Sequence, residues 1–257
     1  MRLVFRSLRS NVSGLTSQSF TSIFQPHSNL PAPMKPRFSV WAALTLAAAL
    51  LPGLYLASRW SGLPAVVPTH FDLHGQANGY SSRATLPWLV VGLPLLLYLL
   101  LQFLPRLDPK RGLDPANPNW PKLRLVVQLL VAGAVGLVVF GAGGGGIQAV
   151  WQPALAGLLL LSALLGNYLS TVPPNYFVGI RTPWTLESPV VWASTHRLAG
   201  RLFFGAGLLG AALVLTLPEA AADVVALVAL AGPALGAAGY SWWAWRQGVE
   251  QELKIKD

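Results

Sequence analysis

Leu86-Pro87-Trp88-Leu89-Val90-Val91-Gly92-Leu93-Pro94-Leu95-Leu96-Leu97-Tyr98-Leu99-Leu100-Leu101-Gln102-Phe103-Leu104 is a run of 19 residues without a single charge. An α-helix needs about 20 such residues to cross a bilayer, because hydrocarbon offers no partner to a bare peptide group. Five further stretches read the same way, near 38–57, 124–141, 150–169, 202–217 and 224–245. The fifth is short unless Leu198 to Arg201 form its first turn, with Arg201 reaching back to the interface. No acidic or basic side chain lies in the interior of any of the six.

Composition agrees. The chain has 257 residues, 53% of them apolar, and only 11% carry a charge, too few to cover a water-soluble fold of this size. Zero cysteine excludes disulfides, thiolate metal sites and cysteine nucleophiles. The expected class is an all-α membrane protein of about six transmembrane helices. It would carry one outer loop with a short strand and one ordered inner loop with an interfacial helix.

The net charge of +9 then becomes a topology signal rather than a sign of nucleic-acid binding. With an even number of spans, both termini share one side with loops 105–123 and 170–201. That side holds sixteen of the 18 basic residues, leaving Arg59 and Arg83 opposite. The expectation is a multi-pass protein of the cell (inner) membrane with both termini cytoplasmic. Trp41, Trp60, Trp88, Trp151, Trp242, Trp243 and Trp245 fall at span ends, where indole favours the headgroup layer.

The chain divides into a basic tail (1–37), helices one and two with an outer loop (38–104, loop 58–85), and a Pro-rich loop (105–123). Helices three to six (124–245) and a charged tail (246–257) follow. Residues 1–33 are rich in serine and threonine, basic and free of acid, which resembles an organellar transit peptide. Met34, opening Met-Lys-Pro-Arg just before the first span, is an alternative start. Either way the tail stands outside the fold.

The outer loop reads Val66-Val67-Pro68-Thr69-His70-Phe71-Asp72-Leu73-His74-Gly75-Gln76-Ala77-Asn78-Gly79-Tyr80. Alternation over Val67–Leu73 predicts a short strand with Val67, Thr69, Phe71 and Leu73 on one face and His70, Asp72 and His74 on the other. Gly75 and Asn78-Gly79 read as turn residues able to take positive φ. His-x-Asp-x-His on a strand face aligns three metal ligands. Without a fourth, a polar face hydrogen-bonding its own turn is the better reading, and no metal is assigned. In loop 105–123 five prolines predict irregular backbone, and its basic residues set topology, with anionic lipid as the competing reading.

The loop over 167–201 carries the densest pattern, Asn167-Tyr168-Leu169, then Pro174-Asn175-Tyr176-Phe177-Val178-Gly179-Ile180-Arg181-Thr182-Pro183-Trp184-Thr185. Ser188 before Pro189 reads as an N-cap. An amphipathic lead-in follows, with Val191, Thr195, Leu198 and Leu202 on one face and Ser194, Arg197 and Arg201 on another. Arg181 either grips an anion or ties its loop to carbonyl groups. His196 reads as a structural hydrogen-bonding group rather than a proton carrier. Gly205 near Gly210, and Gly232 near Gly236, invite close helix approach, within one bundle as well as in a dimer.

Gly166-Asn167-Tyr168, Pro174-Asn175-Tyr176-Phe177, Gly179 to Thr185 and Trp192-x-x-Thr195-His196-Arg197, in this order and spacing, resemble the signature of the SdpI family of bacterial integral membrane proteins. The likeness runs over 166–209. His70-Phe71-Asp72, Gly75 and Gly79-Tyr80 resemble an outer-loop module often found ahead of it, and Asp108-Pro109-Lys110 fits too. That module usually has another residue where His74 stands, which weighs further against a metal. The resemblance implies immunity to a membrane-active toxin, and for some such proteins contact with a transcriptional repressor.

From these residues we expect an immunity or sensing protein without enzymatic activity and without a cofactor. Its expected partners are the bilayer, a peptide toxin and a cytoplasmic regulator, with no direct nucleic-acid binding. Candidate binding residues outside are His70, Phe71, Asp72, Gly75, Asn78, Gly79 and Tyr80. Inside they are Asn167, Asn175, Tyr176, Gly179, Arg181, Thr182, Pro183, Trp184 and Thr185, with Trp192, Thr195, His196 and Arg197. A passive or lipid transporter is the alternative. A membrane enzyme ranks below it, since no nucleophile, base and orienting group stand together.

Overall fold

A computed structural model describes residues 39–72 and 74–256. The tail over 1–37, with the alternative start at Met34, lies outside the described residues, as does Leu73. Among the described residues six helices are long and apolar enough to cross a membrane, and the chain is a multi-pass, mostly helical membrane protein.

The first, α1 (Val40–Arg59), leads into a two-stranded antiparallel hairpin of β1 (Val66–Phe71) and β2 (Ala77–Ser82). The second span begins with a 3₁₀ turn over Arg83–Thr85 and a π turn over Trp88–Gly92, then continues as α2 (Leu93–Leu107). After it come α3 (Trp120–Ala142) and α4 (Ile147–Leu169). A one-turn helix, α5 (Pro183–Glu187), precedes α6 (Pro189–Val214) and α7 (Glu219–Lys256). The amphipathic lead-in and the fifth span are one unbroken helix, α6, capped by Ser188 Oγ accepting from Val191 N–H.

Several helices extend past the expected edges, and this changes where polar groups lie. Pro105 sits in the last turn of α2 and Pro121 in the first turn of α3, so irregular backbone spans only 108–119. Pro121 costs nothing there, since the first turn of a helix has no amide partners to lose. Arg124 and Asp223 are buried inside α3 and α7, and His196 inside α6. The expectation that the spans carry no acidic or basic side chain therefore fails. It rested on ending each span at its first charge, whereas hydrogen-bonded helix continues through such residues when they can bury or snorkel.

The last three spans pack most closely. α6 lies against both α4 and α7, and its core with them is mostly alanine: Ala156, Ala211, Ala222, Ala226 and Ala229 around Leu159 and Val214. Small side chains let backbones approach where lipid supplies no hydrophobic drive between helices. Gly166 and Gly200 meet backbone to backbone, a Cβ on either lying 2.8 Å from the other's carbonyl oxygen. Gly205, where close approach was expected, faces open space, and so does Gly232 apart from a methyl of its own helix at 4.0 Å. Leu56, Val67, Val90, Val135 and Val139 form a second core among α1, the hairpin, the second span and α3. Leu51, Leu54, Leu99, Leu209, Val228 and Leu235 are exposed, as lipid-facing side chains must be.

Candidate functional site

The candidate residues fall into two groups at opposite ends of the bundle, one at the hairpin and one at the end bearing the basic loops.

At the hairpin, β1 shows the expected alternation: Val67 is buried, Thr69 and Phe71 are half-buried, and His70 is exposed. Asn78-Gly79 is not a turn. Both residues lie in β2, where Gly79 pairs with His70 and a Cβ on it would stand 2.8 Å from the His70 Cβ. A bulge at this pair lets an Asn-Gly dipeptide, which favours turns, sit in a strand. His70 Nδ1 bonds Asn78 Oδ1 across the ladder, and Tyr80 is exposed on the same strand.

The turn lies at 72–76. Asp72 Oδ1 accepts from the backbone N–H of His74 and of Gln76, both at 2.9 Å, and Asp72 N–H donates to the Gln76 carbonyl. The bond from Gln76, helped by that from His74, holds the Asp72 carboxyl below the usual aspartate range. Gly75 takes φ +69° and presses against Trp151, whose ring leaves no room for a side chain. His74 Nδ1 donates to Asp223 Oδ2 at 2.7 Å, and Trp151 Nε1 donates to Asp223 Oδ1 at 3.1 Å. Gln148 Nε2 donates to the Gly75 carbonyl at 3.3 Å. Thus the turn is seated on the first turns of α4 and α7. His70, Asp72 and His74 address three different partners, and among the described residues no three His, Asp or Glu side chains converge as metal ligands would.

At the basic end, Asn175 is wholly buried and uses both ends of its amide. Its Nδ2 donates to the carbonyls of Pro173 and Val178, and its Oδ1 accepts from the N–H groups of Phe177 and Val178. The loop then folds over His196. The ring's Nδ1 bonds the Trp192 carbonyl at 2.9 Å and its Nε2 accepts the Ile180 N–H at 3.1 Å. A ring that donates at Nδ1 and accepts at Nε2 is a neutral imidazole. Gly179 passes directly over it at φ +112°, and a Cβ there would fall 2.2 Å from Nε2. Trp192 stacks on the imidazole at 4.0 Å and donates from Nε1 to the Val172 carbonyl.

Thr182 and Thr185 form a reciprocal capping box around Pro183 at the start of α5, and Thr182 Oγ1 bonds Ser241 Oγ on α7 at 2.9 Å. Trp184 meets Trp245 with ring centroids 6.5 Å apart. Arg181 donates to the Tyr176 carbonyl, tying its loop rather than standing free for an anion. Thr195 is buried with its hydroxyl unpartnered, whereas Asn167 and Arg197 face away from this cluster. Those two share a groove between α4 and α6 with Arg201. On α6 the buried stripe is Val191, Trp192, Thr195, His196 and Ala199, so the expected face of Leu198 and Leu202 is turned by about one residue.

Three residues outside the candidate set hold the ends together. Asp108 is buried and accepts from the N–H groups of Lys110, Gly112, Leu113 and Tyr176, joining the Pro-rich loop to the later one. Asp223 and Trp151 do the same for the hairpin. Asp108 was marked by its family-like tripeptide. Asp223 had one cue, an acid beside an apolar run in a chain with only 9 acids.

Residues 171–241 match the model of the SdpI/YfhL protein family, and residues 47–98 match a domain of unknown function, DUF1648. No curated protein and no solved structure matches the chain. The first match takes in Asn175, Gly179, His196 and Ser241, and the second takes in the whole hairpin turn, so each of the two clusters falls inside one matched region. The chain thus carries a region over 171–241 that matches the SdpI/YfhL family, preceded by a DUF1648 module over 47–98.

Proposed function

We propose that this protein is an immunity or sensing protein of the bacterial inner membrane. The hairpin faces outward and receives a membrane-active peptide or an envelope signal, and the basic end faces the cytoplasm with both termini. Lysine and arginine asymmetry supports this orientation. The role is binding and relay rather than catalysis, with no cofactor. Both ring nitrogens of His196 are committed to backbone groups, and Arg181 to a carbonyl.

One observation carries the reading. The hairpin turn rests on α4 and α7 through Trp151 and Asp223, and the same two helices hold the loop motif, α7 through Ser241 and α4 through Leu165 and Tyr168 packed around Val172 and Trp192. Asp223 and Ser241 are 18 residues apart on α7, about 27 Å along one helix. A ligand that lifts the turn off Asp223 thereby acts on the helix that anchors Thr182. The cytoplasmic loop is the surface offered to a regulator.

The test is survival of sensitive bacteria challenged with membrane-active peptides. Cells making the wild-type chain should survive, and His70→Ala or Asp223→Asn should lower the protective effect at least tenfold at equal membrane abundance. Wild-type chain that protects against no peptide ends the immunity reading. Protection that survives both substitutions moves the binding site off the hairpin.

A further inference from the structure

On the outer face of the α4–α6 pair, away from the His196 cluster, lies an open groove with a polar head and an apolar track. Its floor is the backbone contact of Gly166 with Gly200, which brings the two helices too close for side chains to fill the space. Asn167 and Ser170 line one wall, and Arg197 and Arg201, one helical turn apart, line the other. Both arginines are exposed, and among the described residues no carboxylate pairs with either. Two guanidinium groups on adjacent turns, with a hydroxyl and an amide opposite, are the donor set that a phosphodiester takes.

The groove does not end at the charges. Phe204 closes its apolar end, and Leu208 continues the same face of α6 toward the middle of the bundle. Leu160 and Leu164 do the same on α4, and all four side chains are exposed. The two helices run antiparallel, so Asn167 to Leu160 and Arg201 to Leu208 descend together. The cations stand at the last turn of α4, where headgroups meet hydrocarbon. A free anion would use only the head of such a groove, whereas a lipid uses its whole length.

We propose that the α4–α6 groove binds one anionic phospholipid, its phosphate held by Arg197 and Arg201 with Asn167 and Ser170, and an acyl chain lying against Phe204. Basic pockets between transmembrane helices are a recognised setting for such headgroups. The site stands independently of any peptide-binding role. Occupied, it would brace the crossing of α4 and α6 from outside, next to the motif that His196 braces from within.

The test uses the full chain, purified and delipidated, titrated with phosphatidylglycerol, phosphatidylcholine or inorganic phosphate, and bound lipid counted by native mass spectrometry. One phosphatidylglycerol should bind saturably, ahead of phosphatidylcholine. Arg197→Gln should weaken it about fivefold, and Arg197→Gln with Arg201→Gln about 30-fold. Ser170→Glu should weaken it by placing a like charge against the phosphate. Arg106→Gln with Arg111→Gln, which removes two cations from the same end outside the groove, should leave it unchanged. Phe204→Ser should weaken lipid binding alone. The proposal is overturned if the groove double variant binds like wild type, if the Arg106/Arg111 variant loses as much, or if inorganic phosphate displaces the lipid.

Discussion

The two ends of this bundle are built from similar residues on opposite terms. At the basic end the groups that fold the loop onto α6 are buried and neutral: Asn175 uses both ends of its amide, and His196 uses both ring nitrogens. At the hairpin the decisive pair is half in water, the His74 side chain being 66% exposed and that of Asp223 7%. A buried neutral network is expensive to disturb, because each broken bond leaves a desolvated group behind. A partner as open to solvent as His74 trades its bond for water at small cost. The contrast assigns the basic end the part of a rigid frame and the hairpin that of a seat that can open.

The largest effect expected from this comparison is at Gly179 and His196. Gly179→Ala would put a methyl on the His196 ring at a φ that side chains disfavour, and should lower stability by about 3 kcal/mol or prevent folding. His196→Ala should cost about 2–4 kcal/mol, by leaving the Ile180 N–H and Trp192 carbonyl without their partner and a cavity beside Trp192. Thermal unfolding in detergent checks both. If these variants melt within a degree or two of wild type, the frame is not where the structure places it.

Asp223→Asn is the intermediate case. It keeps the shape and one acceptor for Trp151 but removes the charge that His74 meets. The expected loss is about 1 kcal/mol or less, since His74 is mostly exposed and solvent screens the pair. Its signature is graded: amide exchange should quicken most over 74–76 and only slightly over 173–182, which α7 reaches through Ser241. Equal quickening at both ends would show that the seat and the frame are one cooperative unit.

The sequence made the frame of the molecule legible because lipid is a demanding solvent: 19 uncharged residues after Arg83 leave no other fold. It also showed β1, whose alternation is visible from Val67 to Phe71. It did not show β2, because Ala77-Asn78-Gly79 has a turn's composition and becomes strand only through pairing with His70. Nor could it show that His74 meets Asp223, 149 residues away, since no local pattern encodes a contact between two modules. Helix ends were misread for a related reason. Arg124 looks like a loop charge, yet it lies inside α3 with Nε and Nη2 buried and unpartnered, a cost that α3 carries rather than a place where it stops. In the motif over 167–201 the residue types were visible, but which of them turn inward depends on how α6 is rotated against α4 and α7. Arg197 and His196, adjacent in sequence, end on opposite sides of that contact.

The smallest expected effect separates the seat's own turn from its docking. Asp72 is half-buried at the edge of the hairpin, so its bonds to the N–H groups of Gln76 and His74 add little to overall stability, but they define the turn that carries His74. Its carboxyl titrates below the usual aspartate range in the folded chain, so the proton binds the unfolded turn more readily than the folded one. The sign follows by linkage. The turn's contribution is present above the ordinary aspartate value near 3.9 and fades as pH falls through the lower folded value. Exchange at the amides of His74 and Gln76 should therefore quicken, relative to intrinsic rates, on acidification below about pH 4. Asp72→Asn should abolish that dependence while leaving the pH response at 173–182 as it was. If the acid response survives in Asp72→Asn, the turn is held by its docking rather than by its own cap.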